Sequence, residues 1–213
     1  MRLHDGTFAA FRVIHEDNLH IYLQRGAMHA VNGTPDDGLQ WRATHNAGIQ
    51  SRRVTHPVAA GPGGAMGDYV PFHLGARNLF LYNLHTNRVA GYTEGQGPLM
   101  TLVVSIDAIV AAGHRAVFYD GHALDAFSAC TDDTAELANF DWESIDGKQF
   151  SNDNPVRKRN KQAEMLVHNS LAWDFVRGIG VCDSSSRERV GQILAQFPDT
   201  VHKPVAIRRD WYF

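Results

Sequence analysis

Apolar residues in this chain come mostly in runs of strand length, and helical spacing recurs in only a few places. Residues 9–15 predict a short strand. Residues 16–25 place Leu19, Tyr22 and Leu23 on one face of a helix that Gly26 would stop. The pattern then dissolves. Residues 31–67 are polar and rich in Gly, Pro, Asn and Thr, far longer than the usual connection of about 4 to 6 residues. A loop of that length inside a compact chain predicts a ligand-binding loop. Strand signals follow at 69–74, 79–84, 100–106 and 116–119, separated by turns bearing Gly or Asn. Two irregular stretches, 88–98 and 130–155, interrupt them, and the second carries Asp132, Asp133 and Glu136. Beyond Glu164 the spacing predicts a short helix near 171–176, a strand at 179–182, a helix opened by Ser185 and Glu188 at capping-box spacing and bounded by Pro198, and a strand at 205–208. Without repeats, low-complexity segments or a composition break, the prediction is one α+β domain over residues 1–213, not regular β-α-β winding.

Composition narrows the function classes. A chain of 213 residues with 44% hydrophobic and 20% charged residues has an ordinary globular balance. The formal net charge of −3 argues against a generally basic nucleic-acid coat, while leaving room for a local basic groove. Cys130 and Cys182 are the only cysteines, so neither a disulfide scaffold nor a cysteine zinc site is expected, and a reducing cytoplasm is the natural compartment. The N-terminal Met1-Arg2-Leu3-His4-Asp5-Gly6 lacks a signal-peptide pattern, and no segment approaches the eighteen or so apolar residues of a membrane helix.

Common catalytic signatures are missing. The stretch from Gly61 to Gly67 is glycine-rich but lacks dinucleotide-fold spacing and leads into a strand. Neither a phosphate-binding loop nor a serine nucleophile elbow is present. His15 and His20 lie five apart, about 140° around a helix, which does not suit a shared zinc ion. No metal is expected. One junction stands out: the cations Arg157, Lys158, Arg159 and Lys161 lead into the strand-like run 162–167, with Glu164 where cations meet apolar residues. A carboxylate at the mouth of a buried strand beside phosphate-binding cations suits cleavage of a nucleotide's glycosidic bond. By spacing alone, Lys161 and Glu164 could equally form a surface i,i+3 pair.

Seven segments in order decide between these. They are 11–19 (Phe-Arg-Val-Ile-His-Glu-Asp-Asn-Leu), 51–58 (Ser-Arg-Arg-Val-Thr-His-Pro-Val), 67–72 (Gly-Asp-Tyr-Val-Pro-Phe), Asp120-Gly121-His122-Ala123, Asp141-Trp142, 161–167 and the terminal Arg209-Asp210-Trp211-Tyr212-Phe213. Together they resemble the DarT family of bacterial DNA ADP-ribosyltransferase toxins. The resemblance implies an ADP-ribosyltransferase fold, with an NAD cleft between two small antiparallel sheets. It implies transfer of ADP-ribose from NAD to thymine in single-stranded DNA, with nicotinamide released, and a macrodomain antitoxin as partner. Another branch of the family modifies guanine; RNA, protein or water as acceptor, or a catalytically weak binding module, are the remaining alternatives.

By the same resemblance, Glu164 is the catalytic glutamate that steadies the cationic ribose. Arg53 belongs to the NAD-binding loop and is assigned proton uptake, although a guanidinium is a poor base and an easy pyrophosphate partner. His122 lies in the target-side loop, and the stretch 120–163 presents DNA. Arg12, His15 and Asn18 correspond to NAD-contacting positions. Tyr69 and Phe80, like Phe72 and Tyr82, are candidates for stacking on nicotinamide or a base. Arg157, Lys158, Arg159 and Lys161 would hold DNA phosphates. The chain departs from the family where His73-Leu74 replaces an aromatic pair, at 78–81, and at Ile14.

Overall fold

The structure, a computed structural model, describes residues 2, 3, 5–148 and 154–213. Met1, His4 and residues 149–153, the last lying within both the irregular stretch 130–155 and the DNA-presenting stretch 120–163, fall outside the described residues. Ten strands are present among the described residues: β1 (Ala9–His15), β2 (Ala27–His29), β3 (Tyr69–His73), β4 (Leu99–Ser105), β5 (Ala116–Tyr119), β6 (Cys130–Thr131), β7 (Glu164–His168), β8 (Ser170–Ala172), β9 (Val176–Val181) and β10 (Val205–Ile207). Eight form one sheet in the order β10-β9-β4-β1-β3-β7-β5-β6, and β2 pairs with β8 in a separate ribbon. All neighbours are antiparallel except β9 and β10.

The middle of the sheet positions the site. β1 pairs with β4 along its whole length, from Ala9↔Ser105 to His15↔Leu99, and β3 pairs with β7 from Tyr69↔His168 to His73↔Glu164. Between β1 and β3 only Phe11↔His73 pairs. The sheet is therefore two four-stranded halves joined at one point, consistent with the two-sheet cleft that the family resemblance implies. Arg12 lies at the split, where its Nη1 donates to Pro71 O at 2.7 Å and its Nε to the Tyr22 hydroxyl at 2.9 Å.

Strand alternation divides the core. Ala10 and Ile14 of β1, Val70 and Phe72 of β3, and Met165 and Val167 of β7 face one continuous cluster. It is covered by α1 (Leu19–Arg25), α4 (Ile106–Ala111) and α7 (Ser184–Ala195). The other face carries two separate clusters. Phe11 and Val13 pack with Leu81, Leu84, Trp211 and Tyr212, while Tyr69, Val117 and Leu166 pack with Val58 and Met66. His73 and Glu164 share the alternation of Tyr69 and Leu166, so they fall on this second face.

Local chemistry explains where the sequence prediction differs. Residues 79–84, expected as a strand, form α3 (Leu79–His85): the Asn78 side chain accepts from Leu81 N at 2.9 Å while its amide donates to Gly75 O and Ala76 O, and Leu81 and Leu84, three apart, are both fully buried. The polar stretch 31–67 contains α2 (Ala47–Thr55), capped by Asn46, whose side chain accepts from Ile49 N at 3.1 Å. Residues 171–176, expected as a helix, are mostly β8 and a 3-10 turn, Trp173–Phe175. α7 is capped by Asp183, which accepts from Ser186 N at 2.8 Å, and not by the Ser185–Glu188 box. α5 (Trp142–Asp146) and α6 (Pro155–Asn160) were not anticipated. No described helix is long and apolar enough to cross a membrane.

The C-terminal residues lock the first half of the sheet. The Tyr212 hydroxyl donates to Gly180 O at 2.9 Å and lies 3.1 Å from Leu99 O, and a Cβ added at Gly180 would come within 2.3 Å of Trp211 Cζ3. Gly180→Ala therefore cannot be accommodated without displacing a buried indole. Overpacking of this kind costs about 1–3 kcal/mol, or a drop of roughly 2–12 °C in Tm for a chain of this size. Calorimetry of the variant checks this, and an unchanged Tm would refute the packing.

Candidate active site

Glu164 opens β7 between His73 of β3 and Tyr119 of β5. Its carboxylate is 3% exposed and forms a bidentate pair with Arg53, Nη1 donating to Oε1 at 3.1 Å and Nη2 to Oε2 at 2.7 Å. Ala123 N donates to Oε1 at 3.3 Å. Arg53 reaches this position from the last turn of α2. That turn is held where His56 O accepts from Met66 N and Val58 N donates to Gly64 O, and where the Asn32 amide bonds Asp68 and lies 3.4 Å from Val54 O. Arg52, one residue earlier, is exposed.

Charge at this centre is set by competition. Burial pushes the Glu164 carboxyl up, but the facing Arg53 guanidinium and its hydrogen bonds, with lesser help from His122 and His73, outweigh it and hold the group below the ordinary carboxylate value. Burial opposes charge on Arg53 too, yet Glu164 more than compensates and the guanidinium holds its proton more firmly than usual. Both imidazoles are instead pushed towards the neutral form. Burial, against the pull of Glu164, lowers His73 to about 4 and lowers His122 as well. His122 Nδ1 accepts from Leu124 N at 3.2 Å, so its neutral ring carries the proton on Nε2. His73 Nδ1 is buried with no hydrogen-bond partner among the described residues, and its ring stacks on Phe80 at 5.9 Å.

These groups floor a cavity of about 220 Å³ between the two halves of the sheet. Of the residues expected to hold NAD or do chemistry, Arg12, Arg53, Phe80, His122 and Glu164 all line it. The other three do not. His15 is 2% exposed, accepts from Asp17 N at 3.1 Å and lies 3.5 Å from Glu94. Asn18 bonds both backbone groups of Arg42 at 2.8 Å, fastening the 31–67 stretch to the start of α1. Tyr69 is interior and donates to Gly63 O at 2.6 Å. Phe72 is equally buried, and Tyr82 on α3 packs edge-on against Phe213.

The basic run divides differently from expectation. Lys158 is exposed on α6, and Arg157 is partly exposed there. Arg159 donates to Phe127 O at 2.6 Å and to Asn160, and pairs with Asp120. Lys161 corrects the surface-cation reading, because it is 2% exposed and its ammonium donates to Gly147 O. Its pKa falls to about 8 through burial, with Arg77 adding to the effect. It braces a turn and does not pair with Glu164, which holds Arg53 instead.

Trp41, His45, Asn46, Gln50, Asn83 and Gln162 complete the cleft wall and were not singled out in the sequence. Trp41 packs on Tyr22 at 5.1 Å. The wall thus offers aromatic faces, amides and a guanidinium, fitting a ligand with flat rings, sugar hydroxyls and phosphates. No group of three or more potential metal ligands occurs among the described residues.

Over residues 11–213 the chain matches the family described as DarT, ssDNA thymidine ADP-ribosyltransferase. A relative from Thermus aquaticus, described as a DNA ADP-ribosyl transferase, is 36% identical over 203 residues, spanning 95% of this chain and 88% of the relative. The structure of Thermus sp. 2.9 DarT in complex with ADP-ribosylated ssDNA is similar with a TM-score of 0.91 at 33% identity, covering 100% of this chain and 99% of that one. The same protein in complex with NAD+ gives 0.86 at 31% identity, with 100% of both chains covered. With matches of this extent in both sequence and fold, the chain belongs to the DarT family of single-stranded DNA thymidine ADP-ribosyltransferases.

Proposed function

We propose that this chain transfers ADP-ribose from NAD to thymine in single-stranded DNA and releases nicotinamide, with Glu164 as the catalytic carboxylate. The observation that carries this is the buried Arg53–Glu164 pair on the floor of a cleft walled by Arg12, Trp41 and Phe80. NAD supplies the activated ribose. As its glycosidic bond breaks, positive charge grows on the sugar, and an ionised, preorganised Glu164 is attracted more strongly to that state than to the substrate. At about 4 Å and an effective dielectric near 20, the contact is worth about 4 kcal/mol.

Arg53 fits a different task from proton uptake. Paired with Glu164 it keeps the carboxylate ionised, and its fork of donors suits the NAD pyrophosphate when the pair opens. His122 presents an N–H towards its surroundings, suited to holding an acceptor atom of the base. Thymine has one ring N–H, at N3, and that proton must leave as the new bond forms. His73, cross-strand from Glu164 with a buried Nδ1 that has no partner among the described residues, is placed to receive it. A pKa of about 4 makes it a weak base, so holding the proton depends on the Glu164 charge, which raises that value. His73→Phe is expected to lower kcat about 10²-fold or more, and DNA carrying 5-fluorouracil, whose N3–H is more acidic, should regain part of that loss. Equal losses on both bases would assign His73 a packing role.

As a member of a family of DNA-modifying toxins, the protein is assigned a macrodomain antitoxin that removes the ADP-ribose, and a cytoplasmic setting where NAD and single-stranded DNA meet. One domain over residues 1–213 carries the activity, since the sheet draws strands from Ala9 to Ile207. Incubation with NAD and matched acceptors tests the substrate: thymine-containing single strands should be labelled, while guanine-only strands, duplex, RNA and protein should not. Preferential labelling of any of the latter would overturn the base assignment.

A further inference from the structure

Among the described residues, Phe127 is the most exposed large apolar side chain, at 83%. Its backbone is held firmly. Phe127 N donates to Asp125 Oδ1 at 2.9 Å, and Phe127 O accepts from Arg159 at 2.6 Å. On either side, Ser128 N donates to Asp125 O, Ala129 N to Asp120 Oδ1, and Asp125 N to His122 O. The packing leaves little slack, because a Cβ on Gly121 would meet Arg159 Cγ and Ser128 Oγ at 2.7 Å. One end of this braced loop is therefore in the active site, through His122 and the Ala123 N–H on Glu164. Its other end holds an aromatic ring out in water, fastened by Arg159 to the helix that also bears Lys158 and Arg157.

We propose that Phe127 is a stacking platform for a nucleobase next to the target thymine, with the adjoining phosphates running along α6. The inference rests on the DNA reading above and adds a residue to it. Two features of the structure single out a single-stranded polynucleotide as the occupant. The backbone that bears the ring is already held, so stacking has only the two side-chain torsions to order, and every base offers a flat face. The adjacent helix supplies positive charge in a chain whose net charge is −3, as a polyanion requires. An apolar peptide would use the ring but not the exposed positive charge of Lys158. Phe127 follows His122 by five residues, so the ring sits on the same loop that enters the cleft through His122.

The test compares the wild-type protein with Phe127→Ala and Phe127→Trp, measuring transfer to a single-thymine oligonucleotide and, separately, binding of the same oligonucleotide by fluorescence anisotropy. Phe127→Ala should raise both KM for DNA and Kd about 5- to 100-fold, with kcat and NAD affinity retained, and Phe127→Trp should restore binding. An abasic site scanned along the oligonucleotide should weaken wild-type binding at one flanking position and leave Phe127→Ala indifferent there. Unchanged DNA affinity in Phe127→Ala, or identical abasic scans in both proteins, would overturn the platform while leaving the transferase reading intact. Absence of transfer by the wild-type protein would instead strike the transferase reading, and the anisotropy arm would still decide the platform.

Discussion

Glu164→Gln is expected to cut ADP-ribose transfer by about 10²- to 10⁴-fold, mostly in kcat, with NAD affinity kept within a few fold. The substitution preserves shape and one acceptor oxygen, removes the charge that the developing ribose cation meets, and replaces one of the two acceptors of Arg53 with a donor. An electrostatic contact of about 4 kcal/mol at an effective dielectric near 20 corresponds to roughly 10³-fold in rate. The loss should appear in kcat because the charge on the sugar is small in the bound substrate and large in the transition state. Stability should fall as well, since the Arg53 guanidinium left behind is only 12% exposed and loses its counter-ion. Steady-state kinetics with NAD and a thymine-containing strand measure this. A variant within tenfold of the wild type would remove Glu164 from the mechanism.

Arg53→Ala should show its largest effect on stability. It leaves a carboxylate that is almost fully buried, with the Ala123 N–H as its one hydrogen-bond donor among the described residues, and an uncompensated buried charge costs about 3–5 kcal/mol, a fall of roughly 6–20 °C in Tm for a chain of this size. The pH dependence has a definite sign. In the wild type the Glu164 pKa lies below its ordinary value of 4.5. The pair's contribution to stability is therefore complete above that value and is lost as pH falls through the lower folded-state value. In Arg53→Ala burial acts on the carboxyl almost unopposed, and its pKa should rise. Residual activity should then climb as pH is raised, a limb absent from the wild-type profile at neutral pH. Arg53→Lys, which keeps charge but not the bidentate fork, should recover part of the stability. A flat pH profile with unchanged Tm in Arg53→Ala would show that the pair does not hold Glu164 ionised.

Some of this was legible in the sequence and some was not. β1, β5 and the run opening at Glu164 were readable because buried strands write continuous apolar blocks. α3 was not, because 79–84 is nearly all apolar, so strand and helix periods cannot be told apart. The deciding signal was Asn78, whose cap reads in sequence like an ordinary turn residue. α2 was hidden for a related reason: it has no buried residue, so it carries no apolar stripe, and only Asn46 marks its start.

At the site, Glu164, Arg53, His122 and Arg12 are legible by resemblance and Phe80 as an aromatic able to stack, and the structure brings them to one cleft. His15, Asn18 and Tyr69 belong to the same motifs but support the cleft from behind. A linear motif does not say which of its residues face the ligand. In the sequence, His73 stands out only as a departure from the family. Its significance comes from being cross-strand to Glu164, a relation between residues 91 positions apart that only the pairing of β3 with β7 reveals.

The most direct test of the central claim is intact-mass spectrometry of a single-stranded oligonucleotide containing one thymine, incubated with NAD and either the wild-type protein or Glu164→Gln. The wild type should add one ADP-ribose per strand and release one nicotinamide for each, while Glu164→Gln should leave the strand unmodified over the same interval. An unshifted mass with the wild type on every thymine-containing sequence, or equal modification by both proteins, would contradict the account.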